Sequence, residues 1–97
     1  MADVIRPVHP GEILREQMKE LGLSANALAS ILRVPANRIT SIINEQRSVT
    51  ADSALRLARY FGTTAEFWMN LQCTYDLRKA ELKSGDRINR EVHKRAS

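Results

Sequence analysis

Apolar residues recur along this chain at intervals of three and four, the pattern of helices that each bury one stripe. Ile13, Leu14, Met18 and Leu21 form the first stripe. It opens at His9-Pro10-Gly11, where proline is tolerated in a first helical turn, and closes at Gly22. Glu12 and Glu16 lie toward its N-terminal end, the favourable side of the helix dipole. The spacing predicts a helix over 11–21. Ser24 is a good N-cap for a second helix over 25–32, with Ala27, Leu28, Ile31 and Leu32 on one face. Val34-Pro35 breaks it, and Pro35 suits the start of a third helix over 36–44, where Ile39, Ile42 and Ile43 repeat.

Thr50 caps a fourth helix that Gly62 ends. Its expected buried face is Leu55, Ala58 and Phe61, with Ala54 and Leu57 beside them. Thr63 with Glu66 reads as the capping box of a fifth helix, with Phe67, Trp68, Leu71, Tyr75 and Leu82 along one face. That helix is expected to reach about residue 82, where Ser84-Gly85 interrupts it. The β-branched residues fall at helical spacing and no period-2 run appears. The fold class is therefore all-α. It divides into an N-terminal arm (1–8), a helical domain (9–82) and a basic C-terminal tail (83–97).

Composition adds exclusions. With 97 residues there is one modest core. The single cysteine, Cys73, rules out an internal disulfide and a cysteine-based zinc site. His9 and His93 have no ligand-type residue at metal spacing, and no Ser/His/Asp, Cys/His or glycine-rich phosphate pattern appears. No enzyme, metal, cofactor or small-molecule substrate is expected. No apolar run approaches the roughly 20 residues that span a membrane, and a reducing, cytoplasmic home fits. The formal net charge of +4 suggests nucleic acid, but its distribution narrows that inference. Residues 78–97 hold seven basic and three acidic residues, so the excess lies in the tail and residues 1–77 are neutral.

The specific signal lies in the second and third helices. Two short helices joined by three or four residues have helix-turn-helix geometry. Leu28, Leu32, Val34, Ile39 and Ile42 would lock them together, with small Ala29 at the closest approach. In such a unit the second helix enters the major groove and its outward residues reach base edges. Ala36, Asn37, Arg38, Thr40 and Ser41 are the base-reading candidates, since Asn pairs with adenine, Arg with guanine, and Thr or Ser with either. Ser24, Asn26, Arg33, Asn44 and Arg47 are the phosphate-binding candidates around it. Residues 24–47 carry three arginines against Glu45, a local net charge of +2. Pairs of short helices also occur in bundles that never touch DNA, where the same polar residues are a solvated face.

From His9 to Asp76 the chain resembles the HigA family of antitoxins, within the lambda-repressor-like helix-turn-helix proteins. The resemblance is carried by HPGEIL (9–14), LGLSANALA (21–29), VPANRI (34–39), TADSALRLARYFGTTAEFWMNLQ (50–72) and YDLR (75–78). It implies a five-helix domain that binds a palindromic operator in double-stranded DNA as a homodimer. It also implies a HigB-type toxin partner, an mRNA interferase neutralised by direct binding. Two positions depart from many relatives: Ala25 stands where they have Gln, and Arg33 where they have Gly before the turn valine. A non-glycine residue there takes a strained backbone or a different turn.

Trp68, Leu71 and Tyr75 are expected to form an exposed stripe suited to a dimer interface, with Phe67 filling the core. For the basic tail three readings are open: a solvated end, added phosphate attraction, or ordering on a protein partner. The alternatives to an antitoxin are an orphan helix-turn-helix regulator and a helical protein-interaction module.

Overall fold

A computed structural model describes residues 6–96 and contains five helices. They are α1 (Pro10–Leu21), α2 (Ala25–Leu32), α3 (Ala36–Ile43), α4 (Ala51–Phe61) and α5 (Ala65–Glu91). No strand occurs among the described residues. Residues 1–5 of the expected arm, and Ser97, lie outside the described residues.

The helix starts follow side-chain chemistry. His9, Ser24, Thr50 and Thr64 each accept a backbone N–H of the first turn that follows. The fifth cap is Thr64 rather than the expected Thr63, because the Thr63 hydroxyl already accepts from the Trp68 indole at 3.0 Å. The core is one cluster built from Leu14, Met18, Leu28, Ala29, Leu32, Ile39, Ile42, Val49, Ala54, Leu57 and Trp68. Buried Gln72 closes it from α5, accepting from the Val49 N–H at 2.8 Å and donating to Asp76 at 3.1 Å. Those bonds satisfy a polar group that would otherwise be costly to bury.

Three expectations change. On α4 the inward residues are Ser53, Ala54 and Leu57, and Leu55 is 63% exposed. On α5 the two adjacent aromatics exchange roles: Trp68 is fully buried and Phe67 is 38% exposed. The inward face of α5 is Trp68, Gln72 and Tyr75, at i, i+4 and i+7, and Phe67 sits one position round the helix. The proposed interface stripe is thereby corrected. Trp68 is core, Leu71 is partly buried against the core, and Tyr75 is half-buried beside His9.

The third change concerns length. α5 passes through Ser84 and Gly85 and ends at Glu91, a rod of about 40 Å. One glycine costs a helix about 1 kcal/mol, and no proline follows it. The run Ala80–Lys83 before it and Arg87 and Arg90 after it are good helix formers, and ion pairs Arg78–Glu81 (3.1 Å) and Arg87–Glu91 (3.9 Å) each bridge one turn to the next. No helix among the described residues is long and apolar enough to cross a membrane.

Candidate nucleic-acid interface

The turn between α2 and α3 is made by Arg33 in the left-handed conformation, φ 61° and ψ 46°. The Arg33 and Val34 N–H groups cap the end of α2 by donating to Ser30 and Ala29 carbonyls at 3.3 and 3.0 Å. The strain expected from a non-glycine residue there is present. Replacing Arg33 with glycine is expected to stabilise the fold by about 1 kcal/mol, read by urea unfolding. A loss of stability would mean the arginine side chain contributes more than its backbone costs.

A network of arginines sets the angle of α3. Arg56 on α4 donates to the Leu32 carbonyl at 2.9 Å, satisfying an orphan acceptor at the end of α2. It also donates to Asp52 at 2.9 Å, and Asp52 accepts from Arg38 of α3 at 2.6 Å. Arg56 first, then Arg38, hold the Asp52 carboxyl below the usual aspartate range. Arg38 therefore ties α3 to α4, which departs from its expected part in base reading. The helical phase explains this. Ala36, Asn37, Thr40, Ser41 and Asn44 fall within about 140° of arc at 100° per residue, while Arg38 lies beyond that arc, beside Ile42.

Within the arc, Ala36, Asn37, Thr40 and Asn44 are exposed and Ser41 is half-buried. The Thr40 hydroxyl donates to the Ala36 carbonyl at 3.1 Å, which leaves its methyl and its lone pairs for a partner. Asn44 accepts from Arg15 of α1 at 3.2 Å, and Arg15 also donates to the Ile43 carbonyl at 3.0 Å. Sequence reasoning missed Arg15, which is one more basic residue on an outward helix face and becomes distinctive only once α1 lies against α3. Among the other phosphate candidates, Ser24 caps α2 and Asn26 is exposed in its first turn. Arg33 is exposed at the turn and Arg47 is exposed after α3. Beside Arg47 lies a hollow of about 300 Å³ lined by Arg38, Arg47, Ser48, Thr50 and Ser53.

Burial pushes the His9 pKa below the ordinary histidine value, which favours the neutral ring. Its Nδ1 is thus free to accept the Gly11 N–H at 2.8 Å. No cluster of His, Cys, Asp and Glu among the described residues could hold a metal ion.

Comparison with known proteins agrees with this arrangement. The helix-turn-helix family matches residues 14–68. Virulence-associated protein I of Dichelobacter nodosus is 59% identical over 75 residues, covering 76% of this chain and 69% of that protein. An addiction module antidote protein of the HigA family from Coxiella burnetii has 55% identity and a TM-score of 0.92, over 94% of this chain and 100% of that one. The structure of Pseudomonas aeruginosa antitoxin HigA with the higBA promoter has 48% identity and a TM-score of 0.88, over 91% and 97% of the two chains. The two structures are of an antidote protein and an antitoxin, the second with promoter DNA. With its α2–α3 unit, its outward polar arc and these relatives, the chain belongs to the helix-turn-helix proteins of the HigA antitoxin family.

Proposed function

We propose that this protein represses its own operon by binding a palindromic operator as a dimer, and that it neutralises a HigB-type mRNA-interferase toxin by direct contact. The observation that carries the DNA reading is the polar arc of α3, exposed over two turns and flanked by Arg15, Arg33 and Arg47. Asn37 is the strongest base-reading candidate, since it is exposed in the first turn and has no intramolecular side-chain hydrogen bond among the described residues. Ser24, Asn26, Arg33 and Arg47 supply phosphate contacts that place α3 without reading sequence. The Pseudomonas relative bound to promoter DNA supports this reading.

A two-fold dimer sets two recognition helices about 34 Å apart, so some apolar surface must join the protomers. Phe67 takes over from Trp68 as the aromatic available for that purpose. It borders a cleft of about 450 Å³ with Val8, Leu71 and Arg78.

The test is a gel shift with the DNA upstream of the gene. Asn37→Ala is expected to weaken specific binding by about 1–3 kcal/mol while leaving non-specific binding unchanged. Equal loss on unrelated DNA would remove Asn37 from base reading. For the toxin, co-purification with the product of a neighbouring reading frame is expected, together with rescue of growth when both are expressed. Operator binding without toxin binding would make the protein an orphan regulator.

A further inference from the structure

α3 has eight residues, too few for a helix to hold its place unaided. Its start is also the plainest of the five: Pro35 precedes it and no side chain caps it, whereas His9, Ser24, Thr50 and Thr64 cap the others. Contacts with other elements must therefore fix it. The C-terminal half rests on α1, with Gly11 packed against the Ile42 carbonyl and Arg15 donating to Ile43 and Asn44. The first turn carries Asn37. Beyond buried Ile39, its polar tie to the rest of the described residues is Arg38 to Asp52.

That tie is one link in a longer chain of bonds. A single oxygen of Asp52, Oδ2, accepts from Arg38 Nη1 at 2.6 Å and from Arg56 Nε at 2.9 Å. Arg56 then uses Nη1 to hold the Leu32 carbonyl at 2.9 Å. One guanidinium thus joins the last residue of α2 to the first turn of α4, and Asp52 carries the link on to the first turn of α3. Both helices of the helix-turn-helix unit are tied to α4 in this way. The planar fork of arginine suits the task, because its donors point in fixed directions toward two acceptors. A lysine would keep the charge and lose the geometry. The side chains of Asp52, Arg56 and Arg38 are 56%, 40% and 28% exposed, so the network adds little to stability. Its effect is on placement. Hydrogen bonds to base edges need the reading turn held to within about 0.5 Å. Long basic side chains that meet phosphate tolerate more.

We propose that Asp52 and Arg56 are specificity-determining positioning residues, which fix the first turn of α3, and Asn37 with it, where base reading requires it. This rests on α3 being the helix that reads DNA. Neither side chain needs to touch DNA to act.

Arg56→Lys is the sharper test, since it preserves net charge and leaves the general attraction to phosphate as it was. Asp52→Asn is the second variant, losing the charge-assisted bonds with little change of shape. Affinity is measured for the full chain on the DNA upstream of its gene and on unrelated DNA, below the melting temperature of every variant. Each variant is expected to lower the ratio of the two affinities about five- to tenfold, with the salt slope on unrelated DNA unchanged. The double variant is expected to lose no more than the larger single loss, because both changes break one chain of bonds. Multiplicative losses would overturn the proposal, as would an equal loss on both DNAs. A preference that both variants keep would overturn this proposal alone, whereas a wild type with no preference would overturn the DNA reading and this proposal with it. In the DNA-free protein, amide relaxation is expected to show residues 36–40 gaining motion in Arg56→Lys while residues 42–44, seated on α1, do not. Unchanged motion at 36–40 would overturn the proposal whatever the protein does with DNA.

Discussion

Trp68→Ala is expected to destabilise the protein by about 3–5 kcal/mol, a large share of the 5–15 kcal/mol typical of a domain. The indole is fully buried between Phe61 and Phe67, with ring centroids 6.1 and 5.2 Å away, and its N–H is satisfied by Thr63. Truncation removes the transfer energy of a bicyclic ring, leaves a cavity where α4 meets α5, and frees the Thr63 hydroxyl from its partner. Urea unfolding reads the loss. Phe67→Ala is the internal control, expected to cost roughly 1 kcal/mol of protomer stability, because a side chain already 38% exposed has less to lose. If Trp68 were an interface residue the two variants would exchange places, with Trp68→Ala near neutral in folding and strong in dimerisation. Trp68→Phe, which keeps most of the volume, guards against outright unfolding of the alanine variant.

The exchange between Phe67 and Trp68 shows where periodicity stops being informative. All five helices follow from apolar spacing and capping residues, because each stripe is bounded by a glycine, a proline or a hydroxyl whose local chemistry sets the boundary. The end of α5 does not, since Gly85 resembles a stop and acts as one weak link in a strong helix. Two adjacent apolar residues both fit a stripe, and spacing cannot choose between them. The choice comes from tertiary contacts: the hydroxyl of Thr63 and the ring of Phe61 await position 68. Arg38 is similar. Its charge suggested DNA, whereas its phase on α3 delivers it to Asp52. The polar arc itself was legible, because Ile39 and Ile42 define the buried side and everything opposite must face outward.

Gly11→Ala sets two principles against each other. Alanine is a better helix former than glycine by about 1 kcal/mol, so propensity alone predicts stabilisation in the first turn of α1. Packing predicts the reverse. A Cβ at position 11 would overlap the Ile42 carbonyl oxygen, 2.8 Å from the carbonyl carbon and 3.0 Å from His9 Nδ1. The obstacle on α3 is backbone, which cannot rotate away, so α1 must move from α3 or the His9 cap must open. Overpacking costs 1–3 kcal/mol where side chains can adjust. Here they cannot, and a net loss of about 3 kcal/mol or more is expected, a fall in melting temperature of about 12–24 °C for a domain of this size. Gly85→Ala supplies the contrast. Its Cβ would meet only the Glu81 Cβ at 3.9 Å, an ordinary contact, so the propensity gain of about 0.5–1 kcal/mol should appear undiminished. One substitution, made in two helices of one chain, is expected to give opposite signs. Stabilisation at both positions would show that α1 and α3 separate freely, and α3 would then lack the fixed seat on α1 that a base-reading helix needs.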